Sequence, residues 1–390
     1  MTRAVLVLNA GSSSIKFAIY EVDELAVLCS GQIDGIGAAQ RFTATGSWSE
    51  ALALKGPLPR EATHEASTAW LLDLLRTRLP DLSIAAAGHR VVHGGARYES
   101  AVVVDDVVLS ELDSLVGLAP LHEPHNLATI RAVAKEWGEL PQVACFDTQF
   151  HRTQPRIAQL FALPRQLSDD GVLRYGFHGL SYEYIASVLP RHARQRAEGR
   201  VVVAHLGNGA SMCAMKRRRS VASTMGFTAL DGLMMGTRSG ALDPGVILHL
   251  LQQKGMTVRE VSDVLYQKSG LLGVSGISSD VRQLEASSDP RAAEALDLFA
   301  YRAVCELGSL VAVLGGLDVL VFTAGIGENS AAMRRRICAG AAWAGVAMDE
   351  TANANNALRI SGANSAVDVL VIPTDEEIVI ARATRQLVCT

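Results

Sequence analysis

The stretch VLVLNAGSSS, Val5 to Ser14, decides how the whole chain is read: a short apolar run of strand length and residue type breaks into a loop of small residues carrying an amide and hydroxyls. The same design returns as VVVAHLGNGAS, Val201 to Ser211, and as VLVFTAGIGENS, Val319 to Ser330. Glycine and serine at a strand end let the backbone approach a ligand closely, and their N–H and hydroxyl donors suit phosphate oxygens. Three such loops, from the first residues to the last quarter, are expected to converge as phosphate or nucleotide contacts, which makes phosphoryl transfer the expected chemistry.

Around these loops the periodicities give an α/β chain. Val5 to Leu8 with Ile15 to Tyr20, and Val201 to Ala204 with Met212 to Met215, read as two strand pairs of the same kind, so the architecture is expected to be duplicated. Helices are expected over Thr68 to Leu79 and Asn126 to Trp137, and after Asp243, which can cap a helix beginning at Pro244 with Val246, Ile247, Leu250 and Leu251 on one face. Arg291 to Leu314 reads as a long helix feeding through Gly315 and Gly316 into a strand from Leu317 to Thr323. A last strand, Val367 to Ile372, precedes a final helix for which Thr374 and Glu377 are expected to form a capping box.

At 390 residues the chain is long enough for two cores, so two domains with a cleft between them are expected. The boundary is set just after Gln149: an N-terminal α/β domain, 1–149, joined by the final helix, 374–390, and a C-terminal α/β domain, 150–373. Apolar residues make up 49% and the formal charge is only −4, which excludes a disordered chain and gives no electrostatic support for nucleic acid as a partner. The basic clusters Lys216 to Arg219 and Arg334 to Arg336 are short and are expected to be a solvated hairpin tip and a solvated helix face. Six scattered cysteines lack zinc or redox spacing, and no apolar stretch reads as a signal peptide or membrane span; a cytoplasmic protein with no membrane partner is expected.

The Gly-Lys-Ser/Thr closure of a Walker A loop is absent, so the phosphates must be held another way. Strand-hairpin loops repeated in both halves resemble the two-domain fold of the actin, sugar-kinase and heat-shock-ATPase superfamily, a duplicated mixed β-sheet core flanked by helices. Fold alone does not fix function. The motifs narrow it: NAGSSSIKF (Asn9 to Phe17), GHRVVHGG (Gly88 to Gly95), APLHEPHN (Ala119 to Asn126), CFDTQFH (Cys145 to His151), RYGFHGLS (Arg174 to Ser181), AHLGNGAS (Ala204 to Ser211), DGLMMGTRSGALDPG (Asp231 to Gly245) and FTAGIGENS (Phe322 to Ser330) occur in order. Together they resemble the acetate kinase family, from the first strand to the last helix. The resemblance implies reversible transfer of a phosphoryl group from ATP to acetate, giving acetyl phosphate and ADP, with magnesium as the metal, manganese as its alternative, and a homodimer whose C-terminal domain binds nucleotide and dimerises.

Carried over by position, the resemblance makes Asn9 and Glu376 the metal contacts and sets Ser12, Ser14 and Lys16 beside the nucleotide phosphates. Magnesium takes few protein oxygens, so one amide and one carboxylate suffice, although a turn residue and a first-turn helix acid are the plain alternatives. Arg90, Arg238 and His178 are implied for the transferring phosphoryl group, whose spread charge calls for fixed donors and cations. Arg90 is also assigned the substrate carboxylate, which its planar fork suits. Asp147 matches the family's active-site acid. Since a carboxylic acid substrate, with a pKa of about 4, is already ionised at neutral pH, Asp147 is expected to orient Arg90 or a metal-bound water.

The same correspondence lines the ATP site with His205, Leu206, Gly207, Asn208 and Gly209, with Asp280, Val281 and Arg282, and with Gly325, Ile326, Gly327, Glu328 and Asn329. Val92, Leu121 and Phe177 are implied as the walls of a small apolar acyl pocket, and His122, matched too and counted with the substrate contacts, is implied to help hold the phosphoryl group. The chain departs from the family at Ala229, where proline is usual, and at Leu180, Tyr182, Ala241, Glu123 and His125. Ala229 could widen the pocket, where one methylene is worth only about 1–3 kcal/mol, so propionate kinase is the near alternative. A nucleotide-switched binding protein of the same superfamily is the distant one.

Overall fold

The computed structural model describes residues 1–53, 58, 63–120 and 122–389. Contacts divide the chain into two compact units: the first takes Met1–Gln149 and Asp375–Thr390, the second Phe150–Thr374.

In the first unit, β1 (Thr2–Ala10) and β2 (Ser14–Glu21) pair antiparallel across the Gly11–Ser13 turn, with Asn9 opposite Lys16. β3 (Val27–Asp34) and β4 (Arg41–Thr45) continue outward from β2. On the other side of β1 lie β5 (Leu82–Val91) and β7 (Gln142–Phe146), both parallel to it, with the two-residue β6 (Val102–Val103) at the edge. The order is β4-β3-β2-β1-β5-β7-β6. β1 is buried from Ala4 to Ala10 and every residue of β7 is buried, as strands covered on both faces must be. One face packs Leu6, Leu8, Phe17 and Ile19 against Leu71, Leu72 and Leu75 of the helix His64–Arg78. The C-terminal helix, Glu376–Val388, closes tightly on β5: a Cβ at Gly88 would sit 2.2 Å from Thr384 Oγ1 and 2.6 Å from Ile380 Cγ2. Only glycine permits that approach.

The second unit repeats the design. β8 (Arg200–Leu206), β9 (Ala210–Lys216) and β10 (Arg219–Ser223) form an antiparallel meander, and β11 (Val319–Thr323) and β12 (Asp368–Val371) run parallel to β8, giving the order β10-β9-β8-β11-β12. Val201, Val203, Val319 and Val321 pack on Ile185 and Leu189 of the helix Gly179–Ala193. The 25-residue helix Pro290–Leu314 has proline in its first turn, Asp289 as its cap and Gly315 in the left-handed conformation at its end.

Three expectations need correction or completion. The N-cap of the final helix is Asp375, whose side chain accepts from the Ile378 N–H; Thr374 instead donates its hydroxyl to Ser181, so there is no Thr374–Glu377 capping box. Arg334 is fully buried, while Arg335 and Arg336 do face outward to Glu350 and Asp297. The helix Pro244–Gln252 starts as expected behind Asp243, yet none of its residues is buried, and Val246 and Leu248 are 40% and 52% exposed. The Lys216 to Arg219 segment is a tight exposed turn, with Arg217 and Arg218 at positive φ. Among the described residues no helix is long and apolar enough to cross a membrane.

Candidate active site

In the first unit the carboxyl ends of the parallel strands β1, β5 and β7 carry Asn9, Arg90 and, one residue past its strand, Asp147. Strand ends of this kind are where open α/β sheets place ligands. Register explains the grouping: Leu8 lies beside His89, and Arg90 beside Cys145. The Asp147 carboxylate is 1% exposed and clasps Arg90 with two bonds, from Nε to Oδ1 at 2.9 Å and from Nη2 to Oδ2 at 2.6 Å. Arg90 Nη1 donates to Asn9 Oδ1 at 3.2 Å. Three of the five guanidinium N–H bonds are thereby used, and two have no partner among the described residues. Side-on capture by Asp147 leaves the end-on edge, Nη1 and Nη2, as a fork for an anion. Burial opposes the Arg90 charge, but Asp147, with Glu376 and Glu377 beyond it, raises its pKa above the ordinary arginine value.

Glu376 Oε2 lies 4.0 Å from Arg90 Nε. Burial pushes its carboxyl up to about 7, with Arg90 pulling the other way and Asp147 and Glu377 adding to the rise. Glu377, which the sequence marks only as a capping residue, accepts at Oε1 from Asn9 Nδ2 at 3.4 Å. Capping by Asp375 turns both glutamates toward the strand ends. An amide oxygen and carboxylates with crowded negative charge form a hard-oxygen donor set, which fits magnesium. Among the described residues no group of three or more histidines, cysteines or acids is placed to hold a metal ion.

Ser12 and Lys16 are exposed and Ser14 is half-buried around the Gly11 turn. His64 Nε2, bonded to the Gly11 carbonyl at 2.7 Å, anchors that turn, and His64 stacks on His125 at 4.1 Å. Val92 is buried, and its N–H donates to Asn126 Oδ1. His122 precedes the helix Glu123–Trp137 as its cap residue. Leu121 lies outside the described residues. Glu123, in sequence only a departure from the family pattern, is fully buried; its Oε2 accepts from the His93 N–H at 3.2 Å, and Oε1 has no hydrogen-bond partner among the described residues.

In the second unit the loops also follow the carboxyl ends of the parallel strands. Leu206 ends β8 and is buried, and Gly207, Asn208 and Gly209 make the turn into β9. His178 has the left-handed conformation, φ 58°, uncommon for a residue with a Cβ. It caps the helix Gly179–Ala193 and stacks on His205 at 4.2 Å. His178 Nδ1 bonds Ser211 Oγ at 2.8 Å, and His205 Nδ1 bonds Ser181 Oγ at 2.8 Å. A Cβ on Gly209 would lie 3.3 Å from His178 Nε2 and 3.9 Å from Arg238 Nη2, so glycine leaves room where these two side chains converge. Arg238 Nη1 donates to the Ala229 carbonyl at 2.8 Å, which gives Ala229 an anchoring role. Phe177 is buried and its carbonyl bonds His151 Nε2 at 2.9 Å.

The remaining nucleotide candidates are held by local bonds. Asp280 caps a short helix starting at Val281 and pairs with Arg282, whose side chain is largely exposed. Gly325, Ile326, Gly327, Glu328 and Asn329 form the short helix Ala324–Asn329 at the end of β11. Its Glu328 carboxylate accepts from the Ala324 and Thr374 N–H groups, and Asn329 Nδ2 donates to the Gly325 carbonyl. Arg334 braces this turn from behind, giving both Nη1 bonds to the carbonyls of Gly327 and Glu328.

Two mixed sheets flanked by helices, each presenting loops at the carboxyl ends of its parallel strands, define a two-domain α/β kinase fold. The chain belongs to the Acetokinase family, whose model matches residues 4–382. It is 55% identical to the acetate kinase of Rhodopseudomonas palustris over 98% of both chains, and 51% identical to that of Nitrobacter hamburgensis over 98% of this chain and 96% of the relative. Among solved structures it resembles a propionate kinase from Francisella tularensis, with a TM-score of 0.91 at 35% identity over 99% of this chain and 100% of the other. It also resembles Porphyromonas gingivalis acetate kinase, with a TM-score of 0.86 at 34% identity over 99% of each chain.

Proposed function

We propose that this protein transfers the γ-phosphoryl group of ATP to acetate, reversibly and with magnesium, giving acetyl phosphate and ADP by direct in-line displacement. The observation that carries the reading is the Arg90 fork: Asp147 holds one edge of the guanidinium and Asn9 takes a third N–H, so two N–H bonds have no partner among the described residues and can meet an anion. An acetate oxygen forms the new bond to phosphorus, the bond from phosphorus to the β–γ bridging oxygen breaks, and its electron pair leaves on ADP. No proton moves, so Asp147 serves as a positioning carboxylate.

Arg90 holds the acetate carboxylate. Arg238 and the His178 Nε2 donor meet the negative charge of the transferring group, where aligned donors contribute most in the transition state. Val92, Phe177, Leu121 and His122 are assigned to the acceptor side. Ser12, Ser14, Lys16 and the loops 205–209, 280–282 and 325–329 are assigned to the nucleotide. Asn9 and Glu376 would hold magnesium, with Glu377 adjacent; when bound, the ion neutralises phosphate oxygens. The uncovered apolar helix Pro244–Gln252 supports a homodimer. The reaction is placed in the cytoplasm, where ATP is supplied.

Trapping acyl phosphate as its hydroxamate with acetate, propionate and butyrate tests this. Acetate should give the highest kcat/KM, and slow ATP hydrolysis with every acid would refute the reading. Propionate is the second reading, favoured by alanine at position 229; a kcat/KM for propionate above that for acetate selects it.

A further inference from the structure

Behind His178 lies a buried chain of hydroxyls. Ser211 Oγ is 2.8 Å from His178 Nδ1 and 2.5 Å from the hydroxyl of Tyr182, and both Ser211 and Tyr182 are fully buried.

The proton positions follow from counting donors and acceptors. The Tyr182 hydroxyl must donate somewhere, because a buried donor without an acceptor is strongly unfavourable. Its one hydrogen-bond partner among the described residues is Ser211 Oγ. Burial, reinforced by the neighbouring Cys213, raises the Tyr182 pKa well above that of free tyrosine, so the phenol keeps its proton. If Tyr182 donates to Ser211, the single Ser211 proton is available to His178 Nδ1. That nitrogen is then an acceptor, and the neutral ring carries its proton on Nε2. The reverse polarity, Nδ1–H to Ser211 and Ser211 to Tyr182, strands the phenolic proton, and donation to Ser211 from both sides strands the proton of the buried serine, whose only partners among the described residues are these two groups.

We propose that Tyr182, acting through Ser211, is a positioning residue that fixes His178 as the Nε2–H tautomer and so turns a donor toward the Gly207–Gly209 turn. A parallel relay gives the neighbouring ring the same polarity: Thr374 Oγ1 donates to Ser181 Oγ at 2.8 Å, and Ser181 is 2.8 Å from His205 Nδ1. Two stacked imidazoles, 14° from parallel, therefore both present Nε2 away from their serines. The Nε2 of His178 is the one a Cβ at Gly209 would meet. With Nε2 unprotonated, its lone pair would face the phosphoryl oxygens that the proposed function puts there, and the inference rests on that reading for its kinetic consequence.

The test uses full-length protein with 15N-labelled histidine and long-range 1H–15N correlation at alkaline pH, where neutral rings dominate; His178 is assigned by its loss in His178→Gln. Wild type should show the Nε2–H pattern. Tyr182→Phe and Ser211→Ala should each move part of the population to Nδ1–H. In Tyr182→Phe kcat should fall about tenfold, the scale of one lost hydrogen bond, with KM for ATP and acetate within twofold. The double variant should be no slower than Ser211→Ala alone. Unchanged tautomers in both variants, or additive losses in the double variant, overturn the proposal. Should Tyr182→Phe fail to fold, Ser211→Ala, which deletes one buried oxygen, decides it. The spectra are recorded without substrate, so a wild type that makes no acyl phosphate refutes the proposed function while leaving the tautomer result standing.

Discussion

Replacing Glu123 by glutamine asks whether a buried carboxylic acid keeps its proton at neutral pH. Glu123 opens the helix Glu123–Trp137 with no exposed surface, one oxygen accepting from the His93 N–H and the other without a hydrogen-bond partner among the described residues. Burial pushes its pKa from 4.5 to about 8; the His93 N–H opposes the rise and Asp147 adds to it. A carboxyl whose folded pKa lies above its unfolded value stabilises fully below the unfolded value and loses that contribution as pH climbs toward the folded one. Between pH 4.5 and 8 the folded state keeps a proton that the unfolded chain releases, so wild type loses stability relative to glutamine, which does not titrate. The loss is at most about 5 kcal/mol at pH 8 and about 3 kcal/mol at pH 7, at roughly 1.4 kcal/mol per pH unit. For a chain this long, 3 kcal/mol corresponds to a Tm change of about 4 °C. Calorimetry from pH 5 to 8.5 should find the Tm of Glu123→Gln rising relative to wild type throughout this range and levelling off above pH 8. A difference that stays flat would mean that Glu123 is ionised in the fold, and the argument from burial would fail.

Asp147→Asn removes the charge that holds Arg90 and should lower kcat about a hundredfold without creating a new pH optimum; a rate within twofold of wild type refutes a positioning role. Gly88→Ala drives a Cβ to 2.2 Å from Thr384 Oγ1, and should cost about 1–3 kcal/mol by urea denaturation as the C-terminal helix is pushed off β5. Arg334→Met removes all five bonds from the buried guanidinium to Asn353, Gly327, Glu328 and Asn356; it should cost about 3 kcal/mol in the same assay and raise KM for ATP more than KM for acetate.

What the sequence discloses depends on how local the cause is. The hairpins β1–β2 and β8–β9 were legible because alternation, chain direction and turn chemistry all lie within about fifteen residues, and the long helix Pro290–Leu314 because its cap, proline and terminal glycine are adjacent in sequence to its apolar stripe. The strand order was not legible, since β5 joins β1 through pairings some eighty residues apart that leave no local trace. Arg334 is buried although three consecutive arginines look like one solvated face. On a helix they point in three directions, and Met333, Ile337 and Cys338, all buried, already mark 334 as lying on the inner stripe. Glu377 was lost to a one-residue error at the cap. Moving the N-cap from Thr374 to Asp375 rotates the assignment by about 100°, turning Glu377 from a capping partner into the neighbour of Asn9. The Arg90–Asp147 clasp joins residues 57 apart, and only a family resemblance could put them together beforehand. Tyr182 shows the converse: a departure from the family pattern becomes interpretable only once its hydroxyl is seen to end a buried relay, because the meaning of a buried donor lies in which acceptor it can reach.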